Sequence, residues 1–260
     1  MLIWQSVIMG AVEGITEFLP ISSTGHLILT SELLKLPKSD FLSSFEISIQ
    51  LGAIAAVVFL YWKKFFLNAG AIKKILVAFI PTAILGLIFY SIVKHYLLNN
   101  SAVVLWALLI GGLLLIFFEL WLKRKDGGGG ESEEIENVSY KKAAALGLFQ
   151  SLAMVPGVSR SAATIIGGLW LGLKRKTAVE FSFLLAVPTM LAASGLDLIK
   201  TAASFQAGDF VVLVVGFIVA FIFAALSIKF LLNYIQKNTF IAFGVYRVII
   251  ALLFWALIIR

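Results

Sequence analysis

Polar chemistry in this chain is concentrated in two short stretches, EGITEFLPISSTGH at 13–26 and VPGVSRSAAT at 155–164. Glu13 and Glu17 stand four residues apart, so on a helix both carboxylates project from one face, about one turn apart, and can share a cation. With no cysteine and only two histidines, oxygen ligation favours Mg²⁺ or Ca²⁺ over zinc. A divalent ion facing phosphate also offsets the desolvation that would protonate a lone carboxylate in an apolar setting. Beyond Pro20, the run Ser22, Ser23, Thr24, Gly25, His26 offers hydroxyls and the free N–H groups of a new helix, an anion site favoured by the helix dipole. Ser159, Arg160 and Ser161, following Pro156 and Gly157, repeat the arrangement. Arg160 adds a permanent charge with a planar fork matched to phosphate; in an empty site it can pair with Glu13 or Glu17 instead. His26, one turn after Ser23, is spaced to act as base, acid or nucleophile on the same oxygen. The chemistry this implies is the holding of a phosphorylated group beside a carboxylate-bound metal.

Such groups need elements that position them inside lipid. Of the 260 residues 61% are hydrophobic and 13% charged, and the mean hydropathy of +1.02 lies far outside the soluble range. Apolar runs at 45–62, 75–93, 102–122, 177–199, 210–228 and 240–259 are each long enough to cross roughly 30 Å of hydrocarbon. Two more, 2–19 and 143–170, are interrupted by LPISSTGH and VPGVSRSAAT, where proline and glycine stop one helix and hydroxyl residues cap the next. Irregular backbone at membrane depth must be buried in protein or line a wet cavity. The N-terminus lacks a basic leader region and a cleavage site, and reads as part of the mature fold.

The expected fold is therefore an all-α integral membrane protein with six transmembrane helices plus two re-entrant helix pairs arranged as an inverted-topology repeat. It forms one domain over 1–260: repeat one at about 1–122, a glycine-rich charged linker at about 123–142, and repeat two at about 143–260. Fourteen Lys and Arg then fall on the linker's face of the membrane and five on the other: Lys35, Lys38, Lys94, Lys200 and Arg260. The linker is thus expected in the cytoplasm and both termini outside. Arg160 and Arg247 remain at membrane depth; Arg247 either pairs with a carboxylate or snorkels. Glu46, Gln50, Gln150 and Glu180 are candidates for a supporting shell, and His95 is expected at the interface. No nucleic-acid partner is expected.

The two motifs, together with FEISIQLGAI and EFSFLLAVP, resemble the bacitracin-resistance type of undecaprenyl pyrophosphate phosphatase over nearly the whole chain. The resemblance implies a metal-dependent hydrolase of the bacterial plasma (inner) membrane. It would convert the C55 isoprenyl pyrophosphate carrier to its monophosphate, with bacitracin competing for that lipid and not binding the protein. Carried over residue by residue, it makes Glu17, Ser23, His26 and Arg160 catalytic. Glu13, Ser22, Thr24, Gly25, Ser159, Ser161 and Thr164 fall to substrate binding, and Glu13 and Glu17 to the metal. Ala162 departs from an expected glycine and removes no donor. Lipid phosphatases of the phosphatidic acid phosphatase type need a second histidine shortly after the arginine, and 161–170 contains none. A lipid-phosphate flippase or transporter is the alternative, because paired broken helices are also transporter architecture. Monomer and homodimer are both left open.

Overall fold

A computed structural model describes residues 1–97, 100–124, 134–201 and 209–258, and among these there is no β-strand. Most of the expected linker, 125–133 with Lys125, lies outside the described residues, as do Arg260 and the side chains of Lys94, His95 and Lys200.

The first interrupted run folds as helices α1 (Ile3–Thr16) and α2 (Ser23–Leu33). The second folds as α7 (Tyr140–Ser151), a single 3₁₀ turn (Leu152–Met154) and α8 (Arg160–Trp170). At 1.5 Å per residue each arm is roughly 16–21 Å long, less than the hydrocarbon thickness of roughly 30 Å. Between and after these pairs come α3 (Asp40–Leu60), the short α4 (Trp62–Leu67), α5 (Ala69–Ile92), α6 (Ser101–Arg124), α9 (Arg175–Thr201), α10 (Asp209–Tyr234) and α11 (Ile241–Ile258). Five of these are long and apolar enough to cross a membrane: α3, α5, α6, the Arg175–Gly195 part of α9, and α10. The sixth expected span is α11, a helix whose apolar stretch, Ile241–Ala256, is shorter than the other five. Large apolar side chains such as Leu87, Phe117 and Phe210 are exposed on the long helices, the surface lipid contact requires.

Close backbone approach seats the broken pairs. α1 lies on α10 through Gly10 and Gly14, and a Cβ on Gly14 would stand 2.5 Å from the Ala220 carbonyl oxygen. α7 lies on α5 in the same manner: Gly147 faces the Ala78 backbone with no room for a side chain, and Thr82 Oγ1 donates to the Gly147 carbonyl at 2.9 Å. Small residues that let backbones approach are the usual means of helix association in lipid, where burial of apolar surface supplies no driving force. Each pair's first arm thus packs on a long helix from the other half of the chain, while α3 meets α9 and α6 meets α11. Away from the breaks, buried Glu119 of α6 forms an ion pair with Arg175 at the start of α9 and accepts the Phe240 N–H at 3.3 Å.

Candidate active site

The first break opens when α1 ends, with the Glu17 N–H still bonded to the Glu13 carbonyl at 2.9 Å. Both glutamates therefore share one helical face. Pro20 cannot continue the helix, and the chain reverses through Ser22, held at φ 71°, a region non-glycine residues seldom occupy. That reversal starts α2 at Ser23. In the second break Gly157, at φ 91°, makes the turn, and a Cβ there would collide with the Val104 carbonyl of α6. Ser159 then caps α8 by accepting the Ala162 N–H at 3.2 Å.

The two breaks meet at one carboxylate. Ser23 Oγ donates to Glu17 Oε2 at 2.5 Å, and Arg160 Nη2 and Nε donate to Glu17 Oε1 at 2.9 and 3.3 Å. The guanidinium is held further by Nη1, which donates to the Ser182 carbonyl at 2.9 Å, and by the Phe18 ring, 5.6 Å away. The arrangement matches an activated hydroxyl: an acceptor carboxylate on the oxygen, itself oriented by a cation.

Glu13, one turn back, is 0% exposed, and neither of its carboxylate oxygens has a hydrogen-bond partner. An ionised group left so is costly unless a cation completes it, so the donor set fits a divalent ion. Glu17 and, from α3, Glu46 are near enough for their charges to act on Glu13. Among the described residues no group of three or more His, Cys, Asp or Glu gathers in metal-binding geometry. An ion here would take at most two protein carboxylates and complete its shell with phosphate and water, a pattern common for Mg²⁺.

His26 is buried and held at both ring nitrogens. Nδ1 lies 2.7 Å from the Ser22 carbonyl, which can only accept, so the proton is assigned to Nδ1. Nε2 then accepts from the Tyr246 hydroxyl at 2.8 Å, and the two rings stack with centroids 5.5 Å apart. Thr24 sits half-buried in the first turn of α2, and Gly25 packs under Leu108 of α6.

Other candidates hold the scaffold or lie elsewhere. Ser161 is buried with its hydroxyl unpartnered, whereas Thr164 Oγ1 donates to the Arg160 carbonyl at 2.6 Å and bonds Ser182 Oγ at 2.9 Å, tying α8 to α9. Gln150 donates to Thr82 and Thr189, joining α7 to α5 and α9. Glu46 and Gln50 are half-buried on α3. Glu180 pairs with Lys64 in a polar pocket of about 220 Å³ that Glu134, Glu136 and Lys176 also line. In that pocket a shared hydrogen bond holds the Glu134 carboxyl above its ordinary range and the Glu136 carboxyl below it. Both readings of Arg247, a carboxylate partner or snorkelling, give way to a third arrangement. It is 1% exposed, and its guanidinium donates to four carbonyls: Leu108 (3.3 Å) and Ala107 (2.9 Å) of α6, Pro20 of the first break (3.5 Å) and Gly157 of the second (3.1 Å). Ser182 and Tyr246 were not marked by the sequence motifs. Ser182 does sit in the EFSFLLAVP stretch that echoes EISIQLGAIAA, opposite Ser48; for Tyr246 no signal precedes the structure.

The chain matches the family described as Bacitracin resistance protein BacA over residues 6–253. It is 54% identical over 251 residues to the undecaprenyl-diphosphatase of Sulfurihydrogenibium sp. (strain YO3AOP1), covering 96% of this chain and 97% of that protein. Proteins of the same name from Aquifex aeolicus (strain VF5) and Persephonella marina (strain DSM 14350 / EX-H1) are 47% and 48% identical. The first alignment covers 97% of both chains and the second 96% of both. With the match running from α1 to α11 and including both breaks, the chain belongs to the Bacitracin resistance protein BacA family.

Proposed function

We propose that this chain is a membrane hydrolase that converts undecaprenyl diphosphate to undecaprenyl phosphate and inorganic phosphate. The observation that carries the reading is the sharing of Glu17 between the Ser23 hydroxyl and the Arg160 guanidinium, across 143 residues of sequence. In the proposed reaction Ser23 Oγ attacks the terminal phosphorus and passes its proton to Glu17, while the bond to the bridging oxygen breaks and undecaprenyl phosphate leaves. Water then attacks the phosphoserine: Glu17 returns its proton to Ser23 Oγ as the Ser23–phosphorus bond breaks, takes one from the attacking water, and gives that proton to the departing inorganic phosphate, which restores the carboxylate. Protonation of Glu17 removes the charge that holds Arg160, freeing its fork for the phosphoryl oxygens as they gain charge. The N–H groups opening α2 and α8 face the same anion, and His26, oriented by Ser22 and Tyr246, lines it. Glu13, together with Glu17 in its ionised state, would hold Mg²⁺ or Ca²⁺, which supplies charge neutralisation at the pyrophosphate.

Around this site we read six transmembrane helices and two re-entrant pairs as an inverted repeat. Its support is the reciprocal packing of α1 on α10 and α7 on α5. The charge distribution supports external termini and a cytoplasmic linker, and the bacterial inner membrane is read from the family. Bacitracin would act by competing for the lipid pyrophosphate, without contacting this protein. A lipid-phosphate transporter of the same architecture needs a headgroup site but no hydroxyl–carboxylate pair, and the 2.5 Å Ser23–Glu17 bond favours the hydrolase.

The test uses purified protein, Mg²⁺ and undecaprenyl diphosphate labelled in the terminal phosphate. Free phosphate is expected, with a trapped label on Ser23 that Ser23→Ala abolishes. Label on His26 would reassign the nucleophile. No phosphate release by the parent protein would remove the hydrolase reading itself.

A further inference from the structure

A groove of about 990 Å³ runs between α6 and the second broken pair. Its lining is apolar apart from Ser159 and Arg247. On one wall Ile110, Leu114 and Phe117 of α6 stand more than half exposed. The facing wall, α8, offers the small side chains of Ala162 and Ala163, and this difference in size makes the surface concave. At the far end of α8, Trp170 stacks on Trp121, with centroids 5.4 Å apart, and closes the groove between the helices. From the tip of α8 to that stack, eleven helical residues give roughly 16 Å of apolar wall.

The two polar lining residues occur where the groove passes the breaks. Ser159 immediately precedes Arg160, and Arg247 donates to the carbonyls of Pro20 and Gly157. A lipid with its pyrophosphate between the breaks therefore has an apolar channel beginning one residue from the arginine that would hold its phosphate. Resting on the hydrolase reading above, we propose that this groove binds the first isoprene units of the substrate's polyprenyl chain. The remainder of the chain stays in the bilayer. The isoprenyl chain suits the site because its branched, unsaturated carbons bury apolar area and bring no polar group into a lining that is aliphatic and aromatic away from Ser159 and Arg247. Chain length is then read at this groove, separately from the phosphate chemistry.

Two measurements test it. The first compares kcat/KM for undecaprenyl diphosphate and isopentenyl diphosphate, the same headgroup with one isoprene unit, in the parent protein and in Ile166→Trp and Ile110→Trp, which narrow the groove from its two walls. The ratio of long-chain to one-unit kcat/KM is expected to fall at least tenfold in each variant, through KM for the long chain. An unchanged ratio, whether both substrates fall together or neither changes, overturns the proposal. The second measurement places one cysteine in a chain that has none, as Leu114→Cys or, on the outward face of α5, Leu87→Cys. Undecaprenyl diphosphate is expected to slow maleimide labelling of Leu114→Cys at least threefold and to leave Leu87→Cys unaffected. Equal protection by a phospholipid of matched apolar length would assign the groove to bulk lipid and overturn the proposal. If the parent protein releases no phosphate from either diphosphate, the hydrolase reading fails, a result distinct from hydrolysis without chain-length discrimination.

Discussion

Arg160→Lys separates a catalytic cation from a structural one. Arg160 reaches Glu17 with Nη2 and Nε and, from another edge of the planar guanidinium, the Ser182 carbonyl with Nη1. A lysine ammonium keeps the charge but is a single point, and cannot span those two acceptors at once. In the resting protein the change therefore removes one charge-assisted hydrogen bond, about 1.5–3 kcal/mol, and leaves the ion pair with Glu17 intact. In the reaction it also removes the two-point grip on a phosphoryl group gaining charge, and losing one preorganised donor of that kind lowers kcat by roughly a hundredfold to a thousandfold. The expected outcome is folded, membrane-inserted protein whose turnover of undecaprenyl diphosphate falls at least about a hundredfold. Phosphate release measures the rate, and thermal unfolding in detergent provides the folding control. Turnover within about threefold of the parent, a change of under 1 kcal/mol, would refute the clamp and leave Arg160 as the structural partner of Glu17.

Glu13→Gln removes a buried carboxylate with no hydrogen-bond partner, so metal-free thermal stability is expected to hold or rise while stabilisation by Mg²⁺ disappears; a retained Mg²⁺ shift would rule out Glu13 as a ligand. Arg247→Met strands carbonyls from both breaks and α6, and a loss of about 3–5 kcal/mol in unfolding free energy is expected, with Arg247→Lys intermediate; stability within about 1 kcal/mol of the parent would show that the four contacts do not hold the breaks together. For orientation, Lys38→Cys should be labelled by an impermeant maleimide in intact cells and Lys237→Cys only after permeabilisation; the reverse pattern would invert the topology.

The positions of both breaks were legible because proline, glycine and hydroxyl residues interrupt apolar runs that nothing else interrupts. Glu13 and Glu17 were legible as a pair because four residues is one helical turn, and the structure keeps both on α1 or its cap. What the sequence could not resolve was the choice of partner. It allowed Arg160 to meet either glutamate; the structure brings it to Glu17 and leaves Glu13 without a hydrogen-bond partner. Ser182 acts on Arg160 through its main-chain carbonyl, which every residue possesses and no motif marks. Arg247 was ambiguous for the same reason, since all four of its acceptors are backbone atoms. Glu180 looked like a counterpart of Glu46 by its place in the echoing segment, yet Lys64 draws it into a separate polar pocket. Hydropathy reports that a helix is apolar, not which face meets protein, so the seating of α1 on α10 and α7 on α5 came only from the coordinates.

The carbonyls that Arg247 satisfies belong to segments synthesised long before it. Those of Ala107 and Leu108 precede the arginine by 140 and 139 residues, and that of Pro20 by 227. At about 5–20 residues per second the first break waits on the order of ten to fifty seconds for its donor. During that interval Glu13, Glu17, Ser23 and His26 are already made, but the pin joining their break to the second one is missing. The geometry that sets Ser23 against Glu17 beside Arg160 is therefore completed by α11. Acquisition of activity is then tied to the synthesis of α11, and a nascent chain stalled before it carries Glu13, Glu17, Ser23, His26 and Arg160 without the clamp that aligns the two breaks.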